Sequence, residues 1–127
     1  MAKTKVLIVD DNVTLARMIK DGLEQAGAYQ VRVENNPLKA HGAALDFKPD
    51  IVLLDVIMPE KDGGTVAAEL RYDARTRNIP IAFLTSIVGK AEAAAMGGKT
   101  GNDPVLAKPV TLAELIALIE KTLKKKR

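Results

Sequence analysis

The sequence predicts an α/β domain built on a parallel, five-stranded sheet, and three observations carry that prediction. Short apolar runs alternate with longer amphipathic ones along the whole chain, the pattern of βαβ units. The run Ile51–Leu54 is apolar without alternation, as a central strand covered on both faces requires. Asn36-Pro37 and Thr111-Leu-Ala-Glu114 are helix starts, a cap followed by proline and a capping box, so the stretches behind them read as helices.

Taken in order, Lys5–Val9 is the first strand. The first helix runs from about Val13 to Ala26, with Leu15, Met18, Ile19, Leu23 and Ala26 on one face, and stops at Gly27. Gln30–Glu34 alternates and makes a short second strand. The second helix begins at Pro37, and Ile51–Leu54 follows as the third strand. Lys61-Asp62-Gly63-Gly64 is turn chemistry that opens a third helix reaching about Tyr72. Pro80–Leu84 is the fourth strand. Ala91–Met96 reads as an alanine-rich fourth helix that dissolves into the glycine-rich stretch 97–101. Val105–Ala107 is a brief last strand, and the closing helix presents Leu112, Leu115, Ile116, Ile119 and Leu123 on one face. No internal repeat, low-complexity stretch or linker interrupts the series.

At 127 residues the chain has the size of one domain, and 47% apolar with 28% charged residues is ordinary for a globular protein. The absence of cysteine excludes disulfides, thiol catalysis and cysteine-based zinc sites. No signal peptide or membrane span fits, so a cytoplasmic location without membrane partners is expected. The formal charge of +3 owes much to Lys124-Lys125-Lys126-Arg127, read as a solvated basic tail favoured by the helix dipole. Aromatic residues make up 3%, leaving almost nothing on which bases stack, so direct nucleic-acid binding is not expected.

The chemistry lies where the apolar runs stop. Strand one ends at Asp10-Asp11, strand three at Asp55, strand four at Thr85-Ser86 and the last strand at Lys108-Pro109. In a parallel α/β sheet the carboxyl ends of the strands share one edge, where ligands bind, and strands one and three are neighbours in the order 2-1-3-4-5. Three carboxylates brought together repel one another, and a divalent cation resolves the repulsion. Mg²⁺ suits an all-oxygen set of one or two carboxylates plus phosphate oxygens. A carboxylate also serves as a phosphoryl acceptor. Lys108 and Thr85 fit the task of neutralising and holding the transferred group. Pro109 restricts the backbone of Lys108 to extended conformations, which aims its side chain across the strand ends. His41, the only histidine, reads as a surface residue rather than a ligand.

On these residues the chain resembles the receiver domains of two-component response regulators, of the single-domain type. Val-Asp10-Asp11 is similar to the family's acidic pair. Asp55-Val-Ile-Met-Pro-Glu-Lys-Asp-Gly63 is similar to its phosphoacceptor segment, with Met58, Pro59 and Gly63 in supporting places. Thr85 and Lys108-Pro109 are similar to its switch hydroxyl and lysine–proline pair. The resemblance implies a flavodoxin-like, doubly wound (βα)5 domain over residues 5–123, with 124–127 as a basic tail. It implies that Asp55 is phosphorylated, that Asp10, Asp11, Asp55 and the backbone carbonyl of Ile57 hold Mg²⁺, and that Thr85 and Lys108 bind the phosphoryl oxygens. The phosphoryl donor would be a sensor histidine kinase or a phosphotransfer protein. The output would be a remodelled surface around the fourth helix, fifth strand and fifth helix, read by a downstream protein or by pairing of two receivers. Such a protein catalyses only its own phosphorylation and dephosphorylation.

The chain departs from the family pattern in three places. Val105, preceded by Pro104, stands where the family usually carries a switch aromatic. The stretch 95–103 holds three glycines in the helix-four region. Ile57 and Ile87 are apolar where polar residues often flank the phosphoryl site, which predicts slow self-dephosphorylation because apolar cover hinders an attacking water. Three readings compete, one of them a DNA-binding regulator, which would need a partner because no helix-turn-helix follows Leu123. A haloacid-dehalogenase-type phosphatase also uses aspartate, Mg²⁺, a hydroxyl and lysine, but its two acids sit two apart at the end of the first strand. A degenerate receiver would act as a phosphorylation-independent binding module.

Overall fold

The structure, a computed structural model, describes residues 3–85, 99–100 and 103–126. Its elements are β1 (Thr4–Val9), α1 (Val13–Gln25), β2 (Tyr29–Glu34), a 3-10 turn (Pro37–Lys39), α2 (Ala40–Phe47), β3 (Ile51–Asp55), α3 (Gly63–Tyr72), β4 (Ile81–Thr85), β5 (Lys99–Thr100), β6 (Asp103–Ala107) and the C-terminal helix α4 (Leu112–Lys126). The sheet order is β2-β1-β3-β4-β6-β5. The five long strands are parallel, in the expected flavodoxin-like order 2-1-3-4-5. The sixth, two-residue strand was not expected. It runs antiparallel on the outer edge of β6, with Lys99 opposite Pro104 and Thr100 opposite Asp103, so β6 begins two residues earlier than its apolar run. The expected helix at Ala91–Met96 lies outside the described residues, as do Ser86 and Ile87.

Period-two alternation divides the strands between two cores. Val6 and Ile8 join Ile51, Leu53, Ala82 and Leu84 against Ala16, Ile19 and Leu23 of α1 and Leu115 and Ile119 of α4. Leu7 and Val9 join Val52, Leu54, Ile81, Phe83 and Val105 against Ala40, Ala43 and Ala44 of α2 and Val66, Ala67 and Leu70 of α3. Every residue of β3 and β4 is buried, which explains their unbroken apolar runs.

The α1 stripe needs correction. Its buried residues are Ala16, Ile19 and Leu23, while Met18 is 66% exposed. Met18 lies about 100° round the helix from Ile19, outside a stripe centred on those three. Ala26 is the exposed C-cap, and Gly27 takes the left-handed turn at φ +88° that the helix stop requires. The second helix opens as the 3-10 turn at Pro37, with the Asn36 side chain accepting from the Leu38 amide. The capping box of α4 forms reciprocally, Thr111 N–H to Glu114 at 2.9 Å and Glu114 N–H to Thr111 Oγ1 at 3.1 Å.

Candidate functional site

Asp10 follows directly on β1, and its backbone is pinned on both sides. Its N–H donates to the Glu34 carbonyl at 3.2 Å, and its own carbonyl accepts from Asn35 Nδ2 at 2.8 Å. The carboxylate is fully buried. One oxygen accepts the Asn12 amide at 2.9 Å and the other accepts Lys108 Nζ at 2.9 Å. Asn12 in turn caps α1 by accepting the Leu15 amide at 3.0 Å. Asp11, between them, is exposed.

Asp55 ends β3 with 5% of its surface exposed, and Lys108 Nζ stands 3.4 Å from its Oδ1. Carboxylate oxygens of Asp10, Asp11 and Asp55 lie within 4.8 Å of one another. An all-oxygen set of this kind, two members of it buried, suits a hard divalent cation such as Mg²⁺. Burial pushes the Asp55 carboxyl up to about 6, the neighbouring Asp10 charge adds to the rise, and Lys108 opposes it. Lys108 is thus a single ammonium shared by two crowded carboxylates.

Thr85, the last residue of β4, is buried, and its carbonyl accepts the Lys108 amide at 2.8 Å. That bond ties the end of β6 to the end of β4 and directs the lysine toward the acids. The Lys108–Pro109 peptide is cis. The predicted set of Asp10, Asp11, Asp55, Thr85 and Lys108 therefore gathers at the carboxyl ends of β1, β3, β4 and β6.

The loop after Asp55 explains the remaining predicted residues. A Cβ on Gly63 would lie 2.3 Å from the Asp55 carbonyl oxygen, so only glycine lets α3 start against the strand end. The Gly63 amide donates to the Val56 carbonyl at 2.8 Å, and Asp62 caps α3 through the Thr65 amide at 2.8 Å. Met58 is buried and packs into the core on the α2–α3 side, whereas Pro59 and Ile57 are exposed, Ile57 at 55%. Lys61 bridges both oxygens of Glu69 at 2.9 Å each and braces the loop along α3.

Sequence reasoning missed Asn12 and Asn35 as supports of Asp10. Asn12 was legible as a cap just ahead of an apolar-periodic stretch, but Asn35 acts across a strand pair and leaves no local signal. His41 is half-exposed, as expected, yet it is partnered: Nε2 lies 2.8 Å from Asp73 Oδ2, just beyond α3. Val105 is buried opposite Phe83.

The strand order and the acid cluster at the strands' carboxyl ends are those of a doubly wound α/β domain with its ligand-binding edge at that end of the sheet. A family model described as "Response regulator receiver domain" matches residues 6–120. The chain is 33% identical over 121 residues to the DNA-binding dual master transcriptional regulator RpaA of Synechocystis sp., covering 95% of this chain and 49% of that protein. It is 35% identical over 125 residues to the phosphate regulon transcriptional regulatory protein PhoB of Pseudomonas aeruginosa, covering 98% of this chain and 54% of the relative. The chain thus spans about half the length of these relatives. Among solved structures, the Francisella response regulator 1452 receiver domain matches with a TM-score of 0.81 at 27% identity, covering 98% of this chain and 100% of that one. The Vibrio cholerae chemotaxis protein CheY4 matches with a TM-score of 0.80 at 27% identity, covering 95% and 99%. The chain belongs to the response regulator receiver domain family of two-component systems. No helix among the described residues is long and apolar enough to cross a membrane.

Proposed function

We propose that this receiver accepts a phosphoryl group on Asp55 from a phosphohistidine of a sensor histidine kinase or a phosphotransfer protein. The observation that carries the reading is the meeting of three carboxylates with the Lys108 ammonium, 2.9 Å from Asp10 and 3.4 Å from Asp55. Asp10, Asp11 and Asp55, with the Ile57 carbonyl, would hold Mg²⁺, which when bound supplies positive charge beside the transferred oxygens. An Asp55 oxygen forms the new bond to phosphorus. The P–N bond of the phosphohistidine breaks, and its electron pair returns to the donor imidazole. Lys108 neutralises an equatorial oxygen, and the Thr85 hydroxyl donates to another. Exposed apolar side chains close in sequence to the acids and the lysine, Val13, Ile57 and Leu112, favour a protein surface as donor.

The new charge then biases the surface formed by β6, α4 and the helix expected between β4 and β5, where a downstream protein or a second receiver would bind. Buried Val105 offers no aromatic rotor. Displacement of Thr85 instead passes to β6 through its carbonyl bond with the Lys108 amide.

Intact mass after incubation with acetyl phosphate and Mg²⁺ tests the acceptor. Wild type gains one phosphoryl group and Asp55→Ala gains none. Absence of any gain, with Mg²⁺ binding retained, would instead support the phosphorylation-independent binding module, the reading that Val105 favours. Apolar Ile57 beside the site predicts a slow loss of the phosphoryl group. Ile57→Asn should shorten its lifetime several-fold in a mass time course, and an equal or longer lifetime would count against the apolar-cover argument.

A further inference from the structure

The ladder between β1 and β2 changes character at the acid pair. It runs in register as far as Val9 opposite Glu34, and the Asp10 amide still donates to the Glu34 carbonyl at 3.2 Å. In a regular parallel pair the Asn36 amide would donate to the Asp10 carbonyl next. It donates instead to Glu34 Oε2 at 3.1 Å, where the chain turns to enter the 3-10 turn at Pro37. Asn35 fills the gap with its side chain, its Nδ2 donating to the Asp10 carbonyl at 2.8 Å in a part-buried position.

That carbonyl belongs to the peptide linking Asp10 to Asp11. A peptide is planar, so fixing its oxygen fixes the direction in which Asp11 leaves the strand. The two acids depend on this bond unequally. The Asp10 carboxylate is fully buried and has its own donors, the Asn12 amide and Lys108 Nζ, each at 2.9 Å. Asp11 is exposed, and among the described residues no donor holds its carboxylate. Its place within 4.8 Å of the other two carboxylates is therefore set by the backbone, pinned before it by Asn35 and after it by the Asn12 amide.

We infer that Asn35 is a positioning residue for the divalent cation, which presents the Asp11 carboxylate to Mg²⁺ by holding the Asp10 carbonyl. The inference rests on the reading of Asp10, Asp11 and Asp55 as the Mg²⁺ site and is independent of phosphoryl transfer. Groups that orient metal ligands from behind commonly account for about 10–100-fold in metal affinity.

The test is a Mg²⁺ titration of the ¹⁵N-labelled full chain at constant ionic strength, with Kd read from amide shifts. Asn35→Leu keeps the side-chain size and removes the donor, and Asn35→Ala removes it without bulk. Each should weaken Mg²⁺ about tenfold, and Asp11→Asn at least as much. In the Asp11→Asn background, adding Asn35→Leu should change Kd by less than about twofold, because the ligand it positions is already gone. Thr76→Val removes a buried hydroxyl bonded to the Leu70 carbonyl, and it should lower stability without moving the Mg²⁺ Kd. An unchanged Kd in folded Asn35→Leu and Asn35→Ala, or an equal loss with and without Asp11, would overturn the inference and leave the metal site standing. Absence of saturable Mg²⁺ shifts in wild type, or an unchanged Kd in Asp11→Asn, would overturn the metal reading and the inference with it.

Discussion

Asp55, the last residue of β3, and Asp73, the residue after α3, each face a cation, yet their acidities move in opposite directions. Asp55 sits at the buried end of β3 beside a second carboxylate, and burial with that neighbour raises its carboxyl to about 6. Asp73, the residue after α3, is held well below the usual carboxylate range, chiefly by the Arg75 side chain and amide and further by His41. Donors around Asp73 satisfy it, so it braces two helices. Crowding around Asp55 leaves it frustrated, with one lysine serving two acids. The difference shows that residue type and a cationic neighbour do not fix a carboxyl's acidity; burial and a like-charged neighbour outweigh the lysine at Asp55.

The comparison is broken most severely by removing Lys108. Lys108→Met leaves Asp10 and Asp55 buried without a counter-charge and takes a donor from the transferred group. Phosphoryl uptake from acetyl phosphate should fall about 100-fold or more, followed by intact mass. Uptake within a few-fold of wild type would mean that the lysine is only a structural counter-ion.

A titration gives the next largest effect. Because the folded value of Asp55, about 6, lies above its ordinary 3.8, the folded state holds this proton more tightly than the unfolded chain. Its contribution to stability is full below 3.8 and is lost as pH rises through about 6. Urea unfolding without Mg²⁺ should show Asp55→Asn gaining stability over wild type across that window and keeping the gain above it. A difference that does not change with pH would remove the frustration argument. Asp73 has the opposite sign: its contribution is present above the ordinary carboxylate value and is lost only as pH falls toward its depressed folded value.

The smallest effect belongs to the satisfied aspartate. His41→Gln removes one of the bonds to Asp73 and leaves the Arg75 bonds in place, so the urea midpoint at pH 7 and the phosphoryl uptake should match wild type. A large loss in either would mean that the α2–α3 brace bears on the acid cluster.

Much of this was legible along the chain because the relevant signals are local. The unbroken runs of β3 and β4, the cap at Asn36, the box at Thr111 and Glu114 and the polar stops at Asp10, Asp55, Thr85 and Lys108 each lie within a few residues of the feature they specify. Gly63 was legible as part of a turn, but its reason, the 2.3 Å approach to the Asp55 carbonyl, is a contact between two elements. The two-residue β5 escaped because so short a strand has no period, and its pairing with Asp103 and Pro104 is its only signature. Met18 was misplaced because a helix stripe is centred by what packs on it.

By itself the sequence determined the alternation of elements, their caps, and which polar residue ends each strand, since chain periodicity and capping chemistry are properties of neighbouring residues. Only the tertiary structure decided that Lys108 is shared between Asp10 and Asp55, that Asn35 holds the Asp10 carbonyl, and that His41 and Arg75 converge on Asp73. Apart from Arg75 and Asp73, which are two residues apart, those pairings join residues far apart in the chain. Their distances and burial, which set the charge each carboxylate carries, exist only once the sheet has brought the strand ends together.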